Sequence, residues 1–364
     1  MKPILTVPFL TEPAYIDFLA TAEQDIHALQ FSLPFSRSLD SRIHLDMVDM
    51  HSDLQSGLAR LPGPKKYALL NSRIYDPSLL TDKQGLSEII TALDNFANQG
   101  ILDGIVYCDQ YLLTRLSDEA PDLAAALEAM PGANCMLDSH DKVRMQFDAI
   151  CDTRFRLPGK ILLDRSLNRN LDELGHVARL IRSSWPDMQI ELLANEGCLY
   201  RCPYKLSHDA YISLANIQGR DATFQLNREL GCVRLLGREP HRILRSPFIR
   251  PEDLETYLCH ADLIKICGRT LGGGFLGNVI SAYRARAYDG NLLDLLDASH
   301  WLAEYLFVDN SQLSAGLIEM LALCDGNCRA CGFCQELFAS VTHRLPFHIR
   351  DYRGTCNHLQ SLSK

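Results

Sequence analysis

Lys160-Ile161-Leu162-Leu163-Asp164, then Asn170-Leu171-Asp172-Glu173-Leu174-Gly175-His176-Val177-Ala178-Arg179-Leu180-Ile181, then Gln189-Ile190-Glu191-Leu192-Leu193-Ala194 is the stretch that decides the fold. Two apolar runs of strand length flank a segment in which Leu171, Leu174, Val177, Ala178 and Ile181 recur at helical spacing. Asn170 and Glu173 stand at its start as a capping box. The unit reads as strand, helix, strand.

The same alternation extends in both directions. Strands are expected at Ile26–Leu33, Lys66–Arg73, Gly104–Cys108, Asn134–Asp138, Lys160–Asp164, Gln189–Ala194, Arg242–Arg245 and Leu263–Cys267. Leu86, Ile89, Ile90, Leu93, Phe96 and Ala97 mark another helix, and Pro251-Glu252-Asp253 is a favourable first turn for the helix that carries Leu254 and Leu258. Eight parallel strands separated by helices predict an α/β fold, a (β/α)8 TIM-like barrel, with an open doubly wound sheet as the alternative. No Gly-x-Gly-x-x-Gly follows a strand, which weakens the dinucleotide-binding form of that alternative. Residues 1–25 read as a lead-in, 26–300 as the barrel, and 301–364 as a helical, cysteine-rich extension.

Composition is that of a globular protein: 364 residues, 47% hydrophobic and 22% charged. The net charge of −9 counts against a broad grip on nucleic acid, although Arg234, Arg238, Arg242, Arg245 and Arg250 leave room for an RNA contact. No apolar run is long enough to span a bilayer, and the first residues lack the apolar core of an export signal, so a cytoplasmic protein without membrane contact is expected.

Thirteen cysteines are too many to pass over. Cys108, Cys135, Cys151 and Cys259 fit as small buried hydrophobes. Cys198 and Cys202, followed by Pro203, come just after a strand, where barrel chemistry resides, and form a plausible half-site for a metal or cluster. Cys324, Cys328, Cys331 and Cys334 pack four thiols into eleven residues. Thiolates that close repel one another unless a cation compensates them, and soft sulfur suits iron–sulfur or zinc. Three of the tail cysteines joining Cys198 or Cys202 around a 4Fe–4S cluster is the leading arrangement, and a four-thiolate structural Zn site is the alternative. The Cys-x3-Cys-x2-Cys spacing of the tail also occurs in radical chemistry on S-adenosylmethionine, but there it follows an early strand. At the strand ends, His140, Asp138 and Glu196 are the acid–base candidates.

The segments Ser246-Pro247-Phe248-Ile249-Arg250-Pro251-Glu252-Asp253-Leu254, Asp262-Leu263-Ile264-Lys265-Ile266-Cys267-Gly268-Arg269 and Tyr283-Arg284 resemble the C-terminal barrel half of the collagenase-like peptidase family U32. Glu191 to Gly197-Cys198 is similar to that family's glutamate-to-cysteine motif, with one extra residue between Glu and Gly. The specific matches lie within about residues 185–290. The resemblance implies a 4Fe–4S protein of oxygen-independent hydroxylation, as in relatives acting on ubiquinone precursors, tRNA or rRNA with prephenate as oxygen donor. It implies Cys198 and Cys202 as cluster ligands, and Lys265 and Arg269, with Arg245 and Arg250, as cations for a carboxylated cosubstrate. The cysteine-rich tail is a departure from those hydroxylases, so a small metabolite, a peptide or an RNA base all remain open as substrates.

Two other classes stand beside this one. A U32-type peptidase would show hydrolysis that survives loss of iron, although no His-Glu-x-x-His or Gly-x-Ser-x-Gly is present. A non-catalytic, metal-stabilised accessory subunit would hold a partner protein's substrate.

Overall fold

Eight parallel strands lie side by side in the order β5-β4-β3-β2-β1-β8-β7-β6 in the computed structural model, which describes residues 4–33, 39–42, 51–314, 316–324, 326–328 and 330–346, with backbone alone at 51, 52 and 83. They are β1 Leu5–Pro8, β2 Ile26–Ser32, β3 Lys65–Leu70, β4 Gly104–Tyr107, β5 Glu128–Pro131, β6 Lys160–Leu163, β7 Gln189–Leu193 and β8 Leu263–Lys265. The seam between β5 and β6 is spanned by Arg156, whose carbonyl accepts from Ala129 N at 3.0 Å and which bridges to Glu128. Eight parallel strands in a nearly closed barrel with helices around them make this an α/β, TIM-like barrel.

Six strands fall where the sequence predicts them, and two do not. Arg242–Arg245 lies within a 3-10 helix, Pro240–Arg245, where Pro240 fixes the first turn and Ile243 and Leu244 are buried. Asn134–Asp138 holds a 3-10 turn, Ala133–Cys135, followed by a left-handed Met136. The strands in their place are β1, inside the segment read as a lead-in, and β5. Glu128-Ala129-Met130-Pro131 has little intrinsic strand preference and follows the helix Pro121–Ala126, so its sequence reads as more helix; pairing with β4 overrides that.

Side chains alternate across the strands. Leu5, Val7, Leu29, Phe31, Ile105, Ile161, Leu192 and Ile264 face the surrounding helices and join the main apolar core. The other face fills the barrel: Ala28, Tyr67, Leu69, Val106 and Met130 form an apolar cluster on one side. On the opposite side stand Thr6, Gln30, Lys160, Glu191 and Lys265.

The chain beyond residue 300 packs a second apolar core, in which Leu313, Leu317, Leu321, Phe338 and Val341 meet Leu199, Leu236, Ile243, Leu244 and Phe248. A short antiparallel pair, β9 Leu306–Val308 with β10 Thr342–Arg344, frames it. The extension therefore sits on the segment between β7 and β8, at the end of the barrel where the strands terminate. No helix among the described residues is long and apolar enough to cross a membrane.

Candidate functional site

A buried ion network forms the floor. Lys160 Nζ and Thr6 Oγ1 both donate to Glu191 Oε1, and Lys160 also reaches Thr6 Oγ1 at 2.6 Å. Burial works to raise the Glu191 carboxyl, but Lys160 and then Lys265 outweigh it and hold it below the usual carboxylate range. Burial lowers the Lys160 ammonium, opposed by Glu191. Lys265, one layer nearer the mouth, donates to Gln30 Oε1, and burial pushes its ammonium down to about 8 against the pull of Glu191. Parallel register puts Thr6 and Leu193 beside Lys265, so the network spans β6, β7, β8, β1 and β2.

Above this floor opens a cavity of about 400 Å³ at the carboxyl ends of the strands, where barrel enzymes place their chemistry. Five cations, Arg42, Arg165, Lys205, Lys265 and Arg269, line it with three carboxylates, Glu196, Asp209 and Asp297, and Asp40 and Glu191 add further counter-charges beside Arg269 and Lys265. Each cation is held in place. Arg165 clamps Glu196, Arg42 pairs with Asp297 at 2.6 Å, Arg269 with Asp40 at 2.8 Å, and Lys205 with Asp209 and with Asn134 Oδ1 at 2.8 Å. The residues after β8 are tied to the end of β7 by Asn195, whose amide donates to Cys267 O at 2.9 Å and accepts from Cys267 N at 2.7 Å.

Two glycines explain why these motifs read as they do. A Cβ on Gly197 would stand 2.0 Å from Ser299 Oγ, so glycine alone lets the loop of Glu196 and Cys198 lie against Ser299. Gly268, between Cys267 and Arg269, has φ +120° with the Phe275 ring on the side a Cβ would occupy, a backbone conformation that glycine reaches freely.

The thiols fall into two neighbourhoods. Cys198 lines the cavity, 3.4 Å from Glu196 Oε1, and burial raises its thiol against the opposing charges of Arg165 and Lys205; Cys202 and Cys232 are close enough to act on it. Burial raises the Cys334 thiol to about 11, with Cys324, Cys328 and Cys331 adding to it. Arg245 joins the two: its guanidinium donates to Cys328 Sγ at 2.7 Å and stands 6.0 Å over the Tyr200 ring, between Cys198 and Cys202 in the chain. Soft sulfur donors beside Arg165, Lys205 and Arg245 suit an anionic thiolate cluster in chemistry and charge. Among the described residues no three donors are already closed around one point.

The residues named from sequence are therefore partly together. Glu196, Cys198, Lys265 and Arg269 share the cavity. Cys202 and Asp138 line an adjoining groove of about 530 Å³ that shares Arg165 and Lys205 with it, and Asp138 pairs with Lys142 at 2.8 Å. His140 lies apart, its Nε2 2.9 Å from Ser184 Oγ and its ring against Trp185, so it packs two outer helices together and does not reach the mouth. Arg250 is buried, bidentate to Asp253 at 2.8 Å and bonded to the carbonyls of Leu313 and Ser314, which makes it a clamp for the extension and leaves it no face for a substrate. Arg245 faces the tail sulfur. Arg42, Lys205 and Asp297 are lining residues that the sequence did not single out; Lys205 sits three residues after Cys202, at the start of the helix Lys205–Gln218, and that proximity was the available signal.

Over 262 residues the chain is 33% identical to the uncharacterized protease MJ1657 of Methanocaldococcus jannaschii, a U32 protein, which covers 71% of each chain. The chain belongs to peptidase family U32. No family model matches it. Among solved structures, the U32 peptidase Mk0906 aligns over 60% of this chain and 79% of its own, with TM-score 0.43 and 16% identity. The endo-β1,6-glucanase BT3312 aligns over 60% and 64%, with TM-score 0.33 and 11% identity. Within this U32 barrel, Glu196 and Cys198 after β7 and the Lys265-to-Arg269 strand end of the neighbouring β8 line a single cavity.

Proposed function

We propose that this U32 protein is an iron–sulfur enzyme of the oxygen-independent, hydroxylase type, acting on a small substrate with a carboxylated oxygen donor such as prephenate. The observation that carries the reading is the cavity itself: a sulfur donor, Cys198, in the wall of a pocket ringed by five fixed cations. Cys198 and Cys202, with thiols from among Cys324, Cys328, Cys331 and Cys334, would hold the 4Fe–4S cluster. When bound, such a cluster supplies one-electron chemistry. Lys265 and Arg269 would bind carboxylate, the guanidinium as a fork and the ammonium as a point charge. Glu196, held by Arg165 beside Cys198, is the acid–base group placed to serve a bound molecule. A small ligand is favoured over RNA because four of the five arginines of 234–250 are engaged within the protein: Arg234 on Glu229 O, Arg242 on Glu239, Arg245 on Cys328 and Arg250 on Asp253.

A peptidase is the second reading, and the description of the M. jannaschii relative as a protease favours it. Calorimetric titration of the anaerobically purified protein with prephenate, beside Lys265→Met and Arg269→Gln, separates the two. Binding that both substitutions weaken by tenfold or so, about 1.4 kcal/mol each, supports the first. No binding, together with peptide hydrolysis that survives iron chelation, supports the second.

A further inference from the structure

Cys108 and Cys135 play no part in the site just described, yet they meet on the rim of the same barrel. Cys108 directly follows β4, and Cys135 ends the turn that follows β5. These strands are neighbours, with Tyr107 opposite Pro131. The Tyr107 carbonyl accepts from Gly132 N at 2.7 Å and from Cys135 Sγ at 3.7 Å, so the Cys135 thiol lies against the peptide bond that leads into Cys108. Arg73 donates to Asn134 O at 2.8 Å, which carries its guanidinium to the same spot.

We propose that Cys108 and Cys135 form an oxidisable dithiol site, in which the Cys108 thiolate attacks a peroxide and Cys135 resolves the product to a disulfide. The two thiols are unequal. A hydrogen bond from Cys135 lowers the Cys108 thiol below its ordinary value, burial opposes this, and Arg73 adds to the lowering; the same pairing, with burial, raises Cys135. Asp209 faces Cys108 from the helix Lys205–Gln218 and works against Arg73, and the phenols of Tyr75 and Tyr107 complete the ionisable surroundings. One sulfur is thus the nucleophile, and its neighbour keeps a proton until it is needed. Both are part-exposed, within reach of a molecule as small as hydrogen peroxide.

The balance is simple. The Cys108 thiolate takes one oxygen from hydrogen peroxide, breaking the O–O bond, and with one proton gives sulfenic acid and water. The Cys135 thiol then displaces the sulfenic oxygen as a second water, forming the S–S bond. Two electrons pass from the thiol pair to the peroxide. Asn134, next to Cys135, accepts from Lys205 of the cavity wall at 2.8 Å, so the new bond forms one residue from the mouth.

The test is peptide mapping of the full chain after limiting hydrogen peroxide, without reductant. We expect a linked pair of tryptic peptides carrying Cys108 and Cys135, formed before the exposed Cys151 and Cys259 are modified. Cys135→Ser should stop at the sulfenic acid, trapped on Cys108 by dimedone, and Arg73→Gln should slow the labelling several-fold. Cys108 and Cys135 remaining reduced while other cysteines oxidise would overturn the proposal, as would an Arg73→Gln rate equal to wild type. The readout is confined to these two peptides, so it stands or falls independently of any cluster.

Discussion

The Lys160 ammonium lies on the Glu191 carboxylate inside the barrel, both side chains almost wholly removed from water. Removing one partner leaves the other charge buried, which costs about 3–5 kcal/mol, whereas replacing both with apolar residues of similar size is often near neutral. Denaturant unfolding should therefore show Lys160→Met destabilised by about that amount, and Lys160→Met with Glu191→Leu partly recovered, since Lys265 then loses its nearby carboxylate. A single substitution as mild as the double one would show that the pair is solvated.

Gly197 is a packing requirement between the Cys198 loop and Ser299. Gly197→Ala should lower stability by about 1–3 kcal/mol, as overpacking does. Adding Ser299→Gly, which removes both atoms nearest the new methyl, should return most of it in the same unfolding assay.

Lys265 gives two opposite pH signatures. Its ammonium in the folded state titrates at about 8, below the ordinary lysine value, because burial disfavours the charge. Carboxylate binding at the mouth should weaken as pH rises through 8, and Lys265→Met should bind weakly with that step absent. Stability should run the other way: between about 8 and the ordinary value near 10.5 the unfolded chain binds more protons, so folding gains as pH rises. Titration calorimetry and unfolding curves at matched pH values check both.

Arg250 ties the barrel to the extension through Asp253 and the carbonyls of Leu313 and Ser314. Arg250→Ala leaves Asp253 and two carbonyls without this partner. We expect limited proteolysis to cut first near residues 314–330 in the variant, and unfolding to report a loss of about 3–5 kcal/mol.

The barrel was legible because β2, β3, β4, β6, β7 and β8 are apolar runs separated by strongly periodic helices, such as Leu171–Ser184, whose Asn170 cap does accept from Glu173 N at 3.2 Å. β1 and β5 were not legible. Four residues each, ending at Pro8 and Pro131, they carry too little local preference and are made strands by their neighbours. Lys265, Arg269, Glu196 and Cys198 share the cavity because they end or closely follow β7 and β8, which local pattern makes legible. His140 and Arg250 were expected beside strands at Asn134–Asp138 and Arg242–Arg245, but those segments form 3-10 turns, and packing takes the two side chains elsewhere: Trp185 captures one and Asp253 the other. Arg42 was beyond local reading, since its position at the mouth depends on Asp297, 255 residues away.

Iron and acid-labile sulfide assayed on the anaerobically purified chain, wild type beside Cys198→Ser, decide most directly whether the sulfur in the cavity wall holds a cluster. We expect about four irons and four sulfides per wild-type chain, with both falling sharply in the variant while its circular dichroism is unchanged. Zinc alone, or iron and sulfide undiminished after Cys198→Ser, would contradict the proposed chemistry.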